Sequence, residues 1–79
     1  MMDIERGERA RALLEDKTLI GVLDKLAQQA IDRWRTSDWT DSETREEAYH
    51  MVRAADGVRA ELTRLVADGD LARNLQTRE

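Results

Sequence analysis

The chain has 79 residues, a net charge of −4 and a sequence pI near 5.0, and it contains no cysteine. One small domain is therefore expected, and a disulfide framework or a thiolate metal site is excluded. The acidic balance disfavours nucleic-acid binding, which is typical of domains with a pI above ~9, and no apolar run approaches the ~18 residues that cross a membrane.

Composition predicts an all-α fold that begins with a short N-terminal helix. Proline is absent, and alanine, leucine, arginine and glutamate, which dominate the sequence, are helix formers. The first helix is expected over about residues 4–15, with Ala10, Leu13 and Leu14 on its apolar side. The arginines and glutamates of this segment are expected to form ion pairs along a solvated helix face.

A second helix is predicted over about residues 18–36. Its apolar residues recur every three or four positions, as on one face of a helix. They are Leu19, Val22, Leu23, Leu26, Ala30 and Trp34, and the stripe is widened by Ile20, Ala27 and Ile31. We expect this stripe to form half of the core, with Trp34 at its end.

A long third helix is predicted over about residues 42–68, with a short tail over 69–79. Gly69, followed by an aspartate, is typical of a helix C-terminus and is expected to stop this helix. The apolar stripe of the third helix has the same spacing as that of the second. Its members are Ala48, Met51, Val52, Ala55, Val58, Leu62, Leu65 and Val66.

The turn over about residues 37–41 predicts an antiparallel helical hairpin, because a short loop between amphipathic helices makes them neighbours. Two residues compete to cap the third helix: Thr40, which with Glu43 has the spacing of a capping box, and Asp41. The third helix is longer than the second, and we expect the N-terminal helix to cover the overhang. The overhanging apolar residues are Leu62, Leu65 and Val66.

The only histidine, His50, is the candidate for catalysis or metal binding. Glu46 and Glu47 share its helix face, but a di-iron bundle requires two Glu-x-x-His copies and further glutamates. There is no second histidine, and no serine stands in a recognisable nucleophile motif with His50. We therefore expect a solvated histidine that pairs with a nearby acid, and a protein that is not an enzyme and has no cofactor.

The segment around the two tryptophans contains the candidates for partner binding. Trp34 is expected to close the end of the core, with binding as the alternative role. Trp39 either folds back over its own turn or inserts into a partner, since tryptophan is a frequent interface anchor. Interleaved acids make this segment a poor phosphate-binding surface, so a protein partner is expected. The candidates are Trp39, Arg35, Arg45, Trp34 and Tyr49.

The segments RGERARALLED, IDRWRTSDWTDSETREEAYHMV and LTRLVADGDLA together carry one pattern of helix starts and stops, which spans most of the chain. The pattern is a Gly-Glu and Leu-Leu start, a Trp-x-x-Thr or Trp-x-x-Ser stop, an acidic-Arg-Glu restart and a late glycine before a small tail. The pattern is held by Gly7-Glu8, Leu13-Leu14, Trp34 with Thr36 and Ser37, Glu43 with Arg45-Glu46, and Gly69. In this pattern the chain resembles short, uncharacterised all-helical proteins that tailed bacteriophages and prophages encode near head and packaging genes. Trp39 in the turn, and Tyr49 where a tryptophan or similar aromatic is expected, depart from the pattern.

The resemblance implies a non-enzymatic phage structural or assembly protein that docks through helical faces on a larger head, portal or packaging protein. It would act in the cytoplasm of the bacterial host during assembly, or in the virion. A core of two helices is thin for a chain of this size, so a homo-oligomer or binding in several copies is expected. The alternatives are a small acidic inhibitor of a host nucleic-acid-binding or defence protein, and a DNA-packaging accessory subunit.

Overall fold

The computed structural model describes residues 2–77, which are helical apart from two short connections. Helix α1 is Met2–Glu15, α2 is Lys17–Thr36 and α3 is Ser42–Thr77. No strand occurs in this part of the chain, so the prediction of an all-α fold is confirmed. None of the three helices is both long enough and apolar enough to cross a bilayer.

Helices α1 and α2 together form one arm that runs antiparallel to α3. Side-chain contacts between the arm and α3 give the direction: as residue numbers rise along the arm, those of the partners on α3 fall. The contacts pair Glu8 with Arg73, Arg11 with Asp70, Asp24 with Arg59, and Trp34 with Arg45. Consequently α1 packs on the last part of α3 and α2 on its first part.

The arm is interrupted at Asp16, which caps α2. Its carboxylate accepts hydrogen bonds from the backbone N–H groups of Thr18 at 2.8 Å and Leu19 at 3.0 Å. These donors belong to the first turn of α2, where N–H groups have no partner within the helix. The aspartate therefore starts a new helix, α2, at Lys17, and this helix packs on α3 as α1 does.

Small residues form the interface between the arm and α3. The buried apolar side chains of residues 2–77 are Ala10, Leu23, Ala30, Ala48 and Ala55. On α3, positions 48, 55, 62 and 69 hold Ala, Ala, Leu and Gly, the seven-residue spacing of coiled-coil packing. Alanine and glycine allow two helices to approach closely, but each buries little apolar area.

The arm and α3 come into backbone contact at Gly7 and Gly69. A Cβ atom built on Gly7 would lie 2.9 Å from the Cα of Gly69, and one built on Gly69 would lie 2.9 Å from the carbonyl oxygen of Asp3. Gly69 is thus a packing residue inside α3. The predicted helix end at Gly69 and the predicted tail over 69–79 are wrong, because α1 packs on this segment and the helix continues to Thr77. Residues 78 and 79 lie outside the described part of the chain.

The observed core is narrower than the predicted apolar stripes. Val22, Leu26 and Trp34 of α2 are exposed, as are Met51 and Val58 of α3. The molecule measures 60 × 22 × 14 Å, so it is a single layer of helices, each about 10–12 Å across. In one layer each helix meets a partner on one side only, and apolar residues away from the contact line stay in solvent.

Candidate partner-binding site at the hairpin turn

The turn between α2 and α3 is held by its own polar side chains. The Asp38 carboxylate accepts hydrogen bonds from the backbone N–H of Thr40 at 2.9 Å and from its hydroxyl at 2.7 Å, and these bonds lower the pKa of Asp38. The Asp41 carboxylate accepts from the backbone N–H of Thr44 at 3.1 Å and so caps α3. The pKa of Asp41 is lowered mainly by hydrogen bonding from the Thr44 hydroxyl and, to a smaller extent, by the Thr44 N–H.

Asp41 is therefore the N-cap of α3, as the second of the two sequence-based alternatives predicted. The capping box of Thr40 with Glu43 is wrong, because the Thr40 hydroxyl bonds to Asp38 inside the turn and the helix begins at Ser42. A carboxylate at the N-cap also interacts favourably with the positive end of the helix dipole.

Arg45 ties the first turn of α3 to the end of α2. Its guanidinium lies 4.4 Å from the centre of the Trp34 ring and donates hydrogen bonds to the Trp34 carbonyl at 3.4 Å and to the Ser37 hydroxyl at 3.3 Å. Ser37 also donates to the Trp34 carbonyl, from its N–H at 3.3 Å and its hydroxyl at 2.7 Å. The guanidinium thus holds the indole of Trp34 in position.

Trp39 projects from the turn into solvent. It is 84% exposed, whereas Trp34 is 46% exposed. The hydrogen bonds between Asp38 and Thr40 close the turn without any contribution from the indole. Of the two alternatives for Trp39, folding back over its own turn is wrong, and insertion into a partner stays a prediction.

An apolar groove lies between α2 and α3 next to the turn. Its cavity has a volume of about 190 Å³. Three of the lining residues are exposed at the surface, namely Ile31, Trp34 and Tyr49. The remaining lining residues are Ala30, Ala48 and Val52. An apolar side chain of another molecule could enter this groove without displacing any side chain that is buried.

The five predicted partner-binding residues occupy three environments. Trp34 and Tyr49 line the groove, Arg35 and Trp39 are exposed, and Arg45 is engaged within the chain. The other four groove residues were not predicted as partner-binding, because all of them fit the apolar stripes and were assigned to the core; they are Ala30, Ile31, Ala48 and Val52. The sequence offered one signal for this groove, which is that Ile31 lies at the edge of its apolar stripe. In the structure Ile31 is 36% exposed.

His50 is solvated and lies near an acid. Its Nε2 atom is 3.9 Å from a carboxylate oxygen of Glu46, its side chain is 68% exposed, and its ring meets the ring of Tyr49 edge-on. Across residues 2–77, no group of histidine, aspartate and glutamate side chains is arranged to hold a metal ion.

Comparisons with known proteins identify no relative. No family model matches the sequence, and no curated protein or solved structure gives a significant match. The resemblance to phage proteins therefore stays a prediction, and a binding role rests on the geometry of the turn.

Proposed function

We propose that this chain is a non-enzymatic bacteriophage assembly protein that docks through its turn end on a larger head, portal or packaging protein. The observation that supports docking is Trp39, an 84% exposed indole in the turn that joins the two helices lining the apolar groove. The phage context comes from the sequence resemblance. In this proposal the chain acts in the cytoplasm of the host cell during assembly, or within the virion.

The residues at the turn define the chemistry of the partner surface. Burying the Trp39 indole, which has ~150–250 Å² of surface, would provide a large share of the binding free energy. The groove would receive an apolar side chain of the partner. Arg35 is exposed one helical turn from Ile31 and forms no ion pair with any residue in 2–77. A carboxylate of the partner next to its apolar side chain would satisfy this guanidinium.

Some of the arginines that a DNA-packaging subunit would need are engaged within the chain. Arg11, Arg59 and Arg73 pair with acids across the interface between the arm and α3, and Arg64 pairs with Glu61 on its own helix. These pairs neutralise positive charge on a chain that is already acidic. A protein partner is therefore favoured over DNA.

Direct binding measurements test the docking proposal. The purified chain would be titrated against each head, portal and packaging protein encoded by the same genome. Trp39→Ala should weaken binding to the true partner by at least tenfold, because exposed tryptophans that become buried are frequent hot spots. Leu75→Ala is the matched control, since Leu75 is also exposed, at 56%, but lies at the far end of α3.

The control variant should bind as tightly as the wild type. Docking through the turn is refuted if Trp39→Ala also binds with wild-type affinity. If none of the head, portal and packaging proteins binds the chain, the assigned partner class is wrong.

A further inference from the structure

We propose that two copies of this chain pair through one flank of the hairpin and form an antiparallel four-helix bundle. We call this surface the apolar flank. It comprises Leu19, Val22 and Leu26 of α2 and Met51, Val58 and Leu65 of α3. The inference concerns a surface different from the turn groove and does not depend on the docking proposal.

The apolar flank lies on the other side of the hairpin from the turn groove. Tyr49 lines the turn groove, and Met51, two residues later, is about 200° further around α3. Met51 lines a second, more open groove together with Arg33 of α2 and with Glu47, His50 and Ala54 of α3. Val22, Leu26, Gln29 and Arg33 follow one another at spacings of three and four, so they form one line on α2.

Because Arg33 and Met51 share a groove, the apolar residues in line with each of them border the same side of the molecule. Val58 and Leu65 follow Met51 at intervals of seven residues. Four members of the flank expose large parts of their surface: Val22 49%, Leu26 39%, Met51 42% and Val58 44%. Apart from Leu23, the buried apolar side chains of residues 2–77 are alanines. The flank therefore carries larger apolar side chains than the line of contact between the arm and α3.

A second layer of helices is what this fold lacks. Domains bury their cores between two packed layers, whereas this hairpin is 14 Å thick. A face of 60 × 22 Å offers more than the ~800 Å² that each partner contributes to a standard stable interface. With each arm of α1 and α2 counted as one rod, a second hairpin on this face would give the four rods and the thickness of a four-helix bundle.

The flank is complementary to itself. When two copies of α3 run antiparallel with the two-fold axis beside Val58, each Val58 faces its counterpart, and Met51 of one copy faces Leu65 of the other. The seven-residue interval places these side chains as knobs and holes along one seam. Ala54, between Met51 and Val58 on this side, is small and uncharged. Such a two-fold contact closes on itself, so assembly stops at the dimer.

Pairing in this way would place the two turn ends at opposite ends of a rod about as long as one hairpin, which is 60 Å. Each end would present its own Trp39. The dimer would therefore be bivalent toward any partner that binds the turn.

Sedimentation equilibrium of the full chain tests the pairing. The wild type should have twice the 9.1 kDa chain mass at micromolar concentrations. Val58→Glu should shift the mass to that of the monomer, because it places two carboxylates together at the two-fold axis. Ala60→Glu is the matched control, since Ala60 is exposed and lies about 200° around α3 from Val58. Ala60→Glu and Trp39→Ala should both remain dimeric. A dimeric Trp39→Ala variant that has lost partner binding would show that docking and pairing use different surfaces.

A monomeric wild type would overturn the inference, as would a Val58→Glu variant that stays dimeric. Loss of the dimer in Ala60→Glu as well would also refute it, because that variant leaves the flank intact.

Cross-linking provides a second test that does not depend on a disruptive charge. The sequence has no cysteine, so Val58→Cys and Ala60→Cys each introduce a single thiol. On mild oxidation Val58→Cys should form a covalent dimer, since a disulfide needs Cα atoms within about 7 Å, and Ala60→Cys should not. Equal yields of dimer from the two variants, or none from Val58→Cys, would show that Val58 does not face its counterpart.

Discussion

Replacing Gly69 with alanine should destabilise the protein, whereas the same replacement at Gly57 should stabilise it. Both glycines lie inside α3, and both have the ordinary helical backbone that any residue can adopt. They differ in what a new Cβ atom would meet. Beyond the backbone of its own helix turn, no atom lies within 4 Å of a Cβ at Gly57, but at Gly69 the carbonyl oxygen of Asp3 is 2.9 Å away and the Cα of Gly7 is 3.0 Å away.

The magnitude is set by two opposing effects. Alanine is favoured over glycine by about 1 kcal/mol in a helix interior, and at Gly57 nothing opposes this gain. At Gly69 the obstructing atoms belong to backbone, so α1 and α3 must move apart, and overpacking of this kind costs about 1–3 kcal/mol. Gly69→Ala should therefore be less stable than Gly57→Ala by about 1–3 kcal/mol, which corresponds to roughly 4–8 °C per kcal/mol in a domain of this size.

Urea unfolding followed by far-ultraviolet circular dichroism, at one fixed chain concentration, measures these differences. The other two helical glycines supply an independent pair: Gly7→Ala should behave like Gly69→Ala, and Gly21→Ala like Gly57→Ala, because no atom lies within 4 Å of a Cβ at Gly21. The double variant of Gly7 and Gly69 should cost less than the two single variants together, since both insertions push the same helices apart. If Gly69→Ala is as stable as Gly57→Ala, the close packing of α1 on α3 is refuted.

Three further changes probe the turn and the end of α3. Asp41→Ala should lower the free energy of unfolding at neutral pH, whereas Asp41→Asn should keep the cap. Because folding lowers the pKa of Asp41, its ionised form stabilises the fold above the ordinary aspartate pKa of ~4, and this contribution is lost as the pH falls below that value. Urea titrations from neutral pH into acid should accordingly show a smaller loss of stability for Asp41→Asn than for the wild type, and equal losses would refute the assignment. Arg45→Ala should cost about 1–2 kcal/mol of unfolding free energy through loss of the contact with the Trp34 ring and of the hydrogen bonds. Arg45→Lys should recover only part of this stability, because lysine lacks the planar guanidinium. A thermal melt in which Arg45→Ala matches the wild type would exclude a role of Arg45 in holding the turn. A chain that ends after Asp68 should lose helical signal beyond that of the removed residues, since α1 loses its packing surface; unchanged helicity per remaining residue would show that α1 does not need this segment.

The all-α class and the two helix starts were determined by local sequence. A chain without proline and rich in helix formers has few alternatives to helix. Asp16 and Asp41 each supply a carboxylate to N–H groups within three residues, so their effect does not depend on the rest of the fold. His50 was expected to be solvated because the sequence has no second histidine to share a metal and no nucleophile motif for His50 to activate.

Tertiary packing alone decided the end of α3 and the width of the core. Gly69 has the local chemistry of a helix stop, but the approach of α1 converts it into a contact point, because a residue without a Cβ lets two backbones touch. Apolar spacing marks a wide stripe on each helix, and only the placement of the arm on α3 determines which part of it is buried. The exposure of Trp39 likewise does not follow from its hydrophobicity, since neither α2 nor α3 covers the indole, which is 84% exposed.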